Sequence, residues 1–290
     1  MSAATSRFEQ FSTASDAADA RGLQRGDGAA EIAFARHGTA TRIRHLYQRT
    51  PCRVRFPRAE AGQPALAMLL NTAGGLTGGD RVALSVTADA AASVTVTGAA
   101  AEKIYRSLGA DCAIAVTLDV GDGAWLEWLP QETILFDGAR LRRDLVARVA
   151  ATGRLLASEM LVFGRVARGE RWTNGAMRER WRVERGGALA WYDALRLGGD
   201  TVAKPAGFAG AEAFATAAYI GADAAIHLPL ARELTDGLSC RAGATLVNGI
   251  LLARFIGAAG AVRAGLATYV GALRHAAAGL PATPPRAWSI

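Results

Sequence analysis

The chain has 290 residues, 51% of them hydrophobic, enough to bury a sizeable core in one large domain or two smaller ones without covalent staples. Its formal net charge of +7 rests almost wholly on arginine, with Lys103 and Lys204 the only lysines; the arginines are scattered and not interleaved with aromatics, so no nucleic-acid groove is expected. Three widely spaced cysteines, Cys52, Cys112 and Cys240, form no C-x-x-C pair, which excludes a zinc ribbon or a disulfide scaffold and fits buried thiols in a reducing cytoplasm.

Residues 1–28 are small, polar and charged and read as a loose tail; they lack the continuous apolar stretch of a signal peptide, so export is not expected. Regular structure begins near Glu31-Ile32-Ala33-Phe34. From there the hydrophobic period is two. Val82, Leu84 and Val86 alternate with polar or small neighbours, Val94 and Val96 do so again, and Cys112, Ile114, Val116, Leu118 and Val120 make the longest run. Gly121-Asp122-Gly123 turns the chain into Trp125–Leu129, and Arg185-Gly186-Gly187 reads as a tight hairpin between Trp181/Val183 and Leu189/Trp191. Strands about ten residues apart with turns between them indicate a mainly β body to about residue 240.

The C-terminal quarter reads as helical over about 244–278. Leu266, Tyr269, Val270 and Leu273 fall at i, i+3, i+4 and i+7, with Arg263, Arg274 and His275 off that stripe, and Leu251, Leu252, Phe255 and Ile256 suggest a similar face on a preceding helix. The apolar segment Leu246–Val262 is broken by Asn248 and Arg254 and falls short of a membrane span. Pro281, Pro284 and Pro285 are expected to end the fold in an extended tail. Residues 29–290 thus form a single domain.

Catalytic patterns are mostly missing. The glycine loop LLNTAGGLTGGD (69–80) has Gly74 and Gly79 at P-loop spacing, but Asp80 stands where a lysine must reach phosphate, and no G-x-G-x-x-G is present. Gly74, Gly75, Gly78 and Gly79 are expected instead to provide positive φ or close backbone approach that places Asp80. His37, His45, His227 and His275 are dispersed, with no H-E-x-x-H, and no G-x-S-x-G elbow offers a serine nucleophile. What recurs is acid within apolar sequence: Asp80, Glu102 in AEKIYRS, Glu127, Glu132 and Asp137 in LEWLPQETILFDGA, and Glu159 and Glu170 in SEMLVFGRVARGERW. Buried carboxylates need a partner or a metal, and arginines such as Arg106, Arg165 and Arg168 stand near enough in sequence to supply the former.

The segments NTAGGLTGGD, AEKIYRS, LEWLPQETILFDGA and FGRVARGE, in this order and spacing, resemble the urease accessory protein family UreD, also called UreH. The similarity runs over roughly residues 30–290, takes in TRIRHLYQRTPCRVRFPRAE, LLARFIG and PPRAW, and is weakest between Asp200 and Arg241. It implies an extended, helix-like, two-layer stacking of β-strands with a few α-helices toward the C-terminus. It also implies a non-enzymatic cytoplasmic chaperone for nickel insertion into urease, with the urease apoprotein, UreF and, through UreF, the GTPase UreG as partners. No nucleotide, tightly bound cofactor, nucleic acid or membrane is implied.

Two readings stay open within that role. In one, single carboxylates give an ion in transit weak oxygen contacts, as conduction requires, and Asp80, Glu102, Glu132, Glu159 and Glu170 are the candidates for nickel. In the other, those acids pair with arginines and the chain is purely an interaction scaffold. A hydrolase has no residue constellation behind it.

Overall fold

A computed structural model describes residues 24–289; residues 1–23, most of the expected tail, lie outside the described residues. The chain is built mainly of strands. In order these are β1 (Asp27–His37), β2 (Ala40–Arg49), β3 (Cys52–Arg55), β4 (Ala65–Asn71), β5 (Arg81–Ala88), β6 (Ser93–Gly98), β7 (Glu102–Ile104), β8 (Cys112–Val120) and β9 (Trp125–Leu129). There follow β10 (Thr133–Leu135), β11 (Arg140–Val149), β12 (Arg154–Phe163), β13 (Ala176–Arg185), β14 (Ala188–Gly198), helix α1 (Gly199–Ala203) and β15 (Ala213–Ile220). Helix α2 (Leu228–Thr235), β16 (Arg241–Val247), β17 (Ile250–Gly257) and helix α3 (Ala259–Ala278) complete the fold.

Two sheets take the strands alternately. One has the order β14-β13-β11-β8-β5-β1-β2; the path of the other is β16-β17-β15-β12-β9-β6-β4-β3, with β10 and β7 alongside β12. Between β4 and β13 the chain crosses from one sheet to the other at nearly every step, so each coil adds one parallel strand to each layer. Asp27, Arg81, Ala113, Arg142 and Arg178 form one transverse row through successive coils. This is the helix-like, two-layer stacking that the family resemblance implied, and it places the period-two apolar residues of each strand between the layers.

The inter-sheet core contains Val82, Val86, Ile114, Val116 and Leu118 from one layer and Val94, Val96, Leu126, Trp128 and Leu155 from the other. A second core lies on the far face of the larger sheet, where Leu266, Tyr269, Val270 and Leu273 of α3 pack over Leu156, Met160 and Phe255. The expected stripe of α3 is therefore its buried face.

Three expectations for the C-terminal part are corrected. Residues 241–257 are not helical: β16 and β17 form an antiparallel hairpin, and the helix is confined to Ala259–Ala278. Leu251 and Phe255 point to the second core while Leu252 belongs to the first, as alternation on a strand buried on both faces dictates. Arg274, expected at the surface, is fully buried. Finally, the proline-rich end folds back onto the larger sheet: Trp288 Nε1 donates to the Leu129 carbonyl at 3.1 Å, and Arg274 Nη1 donates to the carbonyls of Pro281 and Thr283 at 3.0 and 2.7 Å.

Candidate functional site

The four segments singled out by sequence lie side by side along one flank of the stack, where the chain leaves the larger sheet for the smaller in successive coils. The glycine loop is stitched to 102–107 by Leu76 N–Lys103 O and Tyr105 N–Leu76 O, both 2.7 Å, and by the Thr77 hydroxyl donating to the Arg106 carbonyl at 2.9 Å. Phe136 N donates to Ile104 O at 3.0 Å, and Asp137 N to Glu170 Oε1 at 3.2 Å, which brings in the 132–138 and 164–174 segments. The glycines divide into two kinds. Gly74 and Gly79 have φ of 76° and 89°, the left-handed region that side chains disfavour. At Gly75 a Cβ would stand 2.6 Å from the Tyr105 ring, and at Gly78 it would overlap the Ser107 hydroxyl.

Asp80 closes this loop. Its two oxygens accept from Gly26 N and Thr77 N, each at 2.7 Å, so its carboxylate fastens the loop to the start of β1. Glu170 is held below the ordinary carboxylate range by its hydrogen bond from Arg165, and Glu132 pairs with Arg263 of α3. Asp137 accepts from Asn174 N and Thr173 N at 2.9 Å; against the opposing effect of burial, these donors hold it down to about 2.

Behind the loop a cavity of about 260 Å³ opens between the sheets. That volume is several times the roughly 30 Å³ a water molecule takes in the liquid, and the walls carry polar groups, the combination that admits solvent. Of the five candidate acids, Glu102 and Glu159 line it; Asp80, Glu132 and Glu170 do not.

Glu102 accepts from Asn71 Nδ2 at 3.0 and 3.2 Å and from Lys103 N at 3.1 Å, and burial pushes its carboxyl above the ordinary range. Glu159 accepts from Trp128 Nε1 at 2.9 Å and pairs with Arg143 Nη1 at 2.7 Å. Arg143 comes from the opposite sheet and also serves Glu179, its register partner on β13, with Nε donating at 2.7 Å. One guanidinium thus faces two buried carboxylates. Burial pushes Glu159 up against the pull of Arg143, since a buried excess of negative charge favours the protonated form.

The lining is of mixed sign. Arg143, Arg53 and Lys103 contribute cationic groups beside the two acids. Cys52 also lines the cavity, but burial raises its thiol to about 12, so at neutral pH it stays protonated and a weak ligand. No group of three or more His, Cys, Asp and Glu among the described residues is placed to hold a metal ion. A second buried charge pair lies outside the cavity, beneath α3: Arg274 Nε and Nη2 donate to Glu127 at 2.7 and 2.9 Å, with the Thr95 hydroxyl on the same carboxylate at 2.5 Å. Sequence reasoning missed Arg143 and Arg274 because nothing local distinguishes an arginine whose partner lies in another layer.

Fold and site together define a two-sheet, coil-stacked β protein with a cavity between the sheets beside the glycine loop, mainly apolar in its lining but carrying charged groups. No helix among the described residues is long and apolar enough to cross a membrane. The family profile of the UreD urease accessory proteins matches residues 26–289, and the chain belongs to that family. It is 40% identical to the urease accessory protein UreD of Magnetococcus marinus, over 91% of this chain and 94% of that one. To its counterpart in Granulibacter bethesdensis it is 44% identical over 80% of this chain and 98% of the relative, and to UreD 1 of a Bradyrhizobium species 42% identical over 83% and 87%.

Proposed function

We propose that this chain serves urease maturation as a non-catalytic scaffold in the cytoplasm, joining the urease apoprotein to UreF and, through UreF, to the GTPase UreG while nickel is inserted. The family relationship over nearly the whole chain carries this reading, because it covers the loop, the cavity and the C-terminal helix together. Nickel is the cargo, not a resident cofactor. Glu102 and Glu159, the two candidate acids on the cavity, are the residues that offer it oxygen contacts in transit; Asp80, Glu132 and Glu170 lie off the cavity lining and tie loop and helix segments together through Thr77, Arg263 and Arg165. Oxygen ligands in small number bind a divalent ion weakly enough to release it, where imidazole or thiolate clusters would retain it.

A urease operon lacking its own UreD, supplied with this chain, tests the role: active, nickel-loaded urease is expected with the chain and nickel-poor apoprotein without it. Equal nickel loading in both would overturn the reading. One observation favours the second reading, a scaffold that never touches nickel: Arg143, Arg53 and Lys103 offset the charge of the cavity acids. Under that reading Glu102→Gln and Glu159→Gln leave nickel delivery unchanged.

A further inference from the structure

β2 is an edge strand unlike the others in the molecule. Among the described residues the sheet order ends at β2, so one side of its ten residues has no described strand beside it, an edge of roughly 33 Å. Of the other edges, those of β3 and β16 are short or covered, while β14 exposes Leu189 and Tyr192 at 52% and 53%, but in a run that buried and half-buried residues interrupt. β14 buries Trp191 and Leu197 against the core and is tied down by Asn248 Nδ2 donating to the Ala190 carbonyl at 3.1 Å. β16 lies against α2, and β3 has four residues, two of them buried. On β2, by contrast, residues 42–47 are exposed without interruption.

The register with β1 shows what each face presents. Ile43 and Leu46 pair with Phe34 and Ile32, so they continue the apolar inner face past the rim of the opposing sheet, where they stand 43% and 41% exposed. Arg42, His45, Tyr47 and Arg49 pair with Ala35, Ala33, Glu31 and Ala29 and form the outer face. Arg44 is the additional residue of a bulge and holds Asp89, with Nε 2.6 Å from Oδ2. Bulges and arginines guard edges against indiscriminate pairing, but large exposed apolar side chains on the same strand work against that purpose. Here Ile43 and Leu46 stand exposed side by side on the inner face, with Tyr47 exposed on the outer one, so both faces of the strand offer apolar surface at the edge.

We infer that β2 is a docking edge for an extended, acidic segment of another protein, which adds as a strand with apolar side chains toward Ile43 and Leu46 and carboxylates toward Arg42 and His45. Main-chain hydrogen bonds hold such a strand, and its alternating side chains give the specificity. Charge decides against a second copy of this chain, because self-pairing of ATRIRHLYQR would set arginines and a histidine against one another. The inference stands apart from any path for nickel, since β2 contributes nothing to the cavity lining.

The probe is a nine-residue peptide of alternating glutamate and valine, titrated against the full chain while amide hydrogen exchange is followed in β2. Expected are saturable binding with new protection across residues 42–47, a loss of at least tenfold on N-methylating alternate peptide amides, and a similar loss in Arg42→Glu and in Ile43→Thr. Both positions are exposed, so the variants should keep the wild-type melting temperature. A lysine–valine peptide should not bind. The inference fails if N-methylation has no effect, or if neither variant weakens binding. It also fails if these amides are already protected in the monomeric chain, which would assign the edge to residues 1–23, or become protected as the chain dimerises.

Discussion

Arg274 sits with no exposed surface between Glu127, the carbonyls of Pro281 and Thr283, and the side chain of Gln63, so a single guanidinium joins the outer face of the larger sheet to the C-terminal end. Removing it leaves a desolvated carboxylate. Arg274→Met is expected to cost about 3–5 kcal/mol in urea unfolding, and Arg274→Met combined with Glu127→Leu to recover most of that loss, because a buried charge is costly chiefly when its partner is gone. A single variant that unfolds at the wild-type urea midpoint would show that the pair contributes nothing. Glu102 gives a test with a pH signature. Its folded carboxyl titrates above the ordinary 4.5, so ionisation opposes folding; the cost is absent below 4.5 and complete once pH has risen past the raised value. Glu102→Gln should therefore melt higher than wild type at pH 8, with the difference shrinking as pH falls toward 4.5. A constant difference across that range would contradict the shift.

At the scale of elements, the hairpin of β16 and β17 shows where periodicity misleads. Leu251, Leu252, Phe255 and Ile256 fit a helical stripe, but a strand buried on both faces is apolar throughout and satisfies the same spacing by composition alone. The decisive signal was the Asn248-Gly249 pair. Both residues have positive φ, 48° and 76°, in the two-residue loop between Val247 and Ile250, the conformation that matches the twist of paired strands. Gly249→Val is expected to lower stability by about 1–2 kcal/mol in urea unfolding, the cost of a side chain in left-handed backbone. Gly260→Ala, in the first turn of α3 where a Cβ meets nothing within 4 Å, should be neutral or raise stability by up to about 1 kcal/mol. Alternation served well where one face differs from the other: Val82–Val86 and Cys112–Val120 are strands β5 and β8, and the stripe from Leu266 to Leu273 is the buried face of α3.

For the whole molecule, period two and frequent turns were enough to indicate a mainly β body, while the two-layer winding came from the family resemblance. Coils of unequal length explain why no repeat is visible in the sequence: the row Arg81, Ala113, Arg142, Arg178 advances by a different number of residues at each step. The site was legible only as a set of acids. Which of them share a cavity depends on strand parity in two layers at once, and that separates Glu102 and Glu159 from Asp80, Glu132 and Glu170. The same parity brings Arg143 against Glu159 from the opposite sheet, a pairing that no local pattern encodes. The mixed sign of the cavity leaves one question that decides between carrying nickel and merely holding partners together. Urease apoprotein, UreF and UreG should be assembled with wild-type chain, with Glu102→Gln, with Glu159→Gln and with both, and the nickel content of urease followed over time at limiting nickel. The account expects all four chains to retain every partner, with the single variants loading nickel several-fold more slowly and the double variant more slowly still. Intact complexes that load nickel at the wild-type rate in all variants would contradict it.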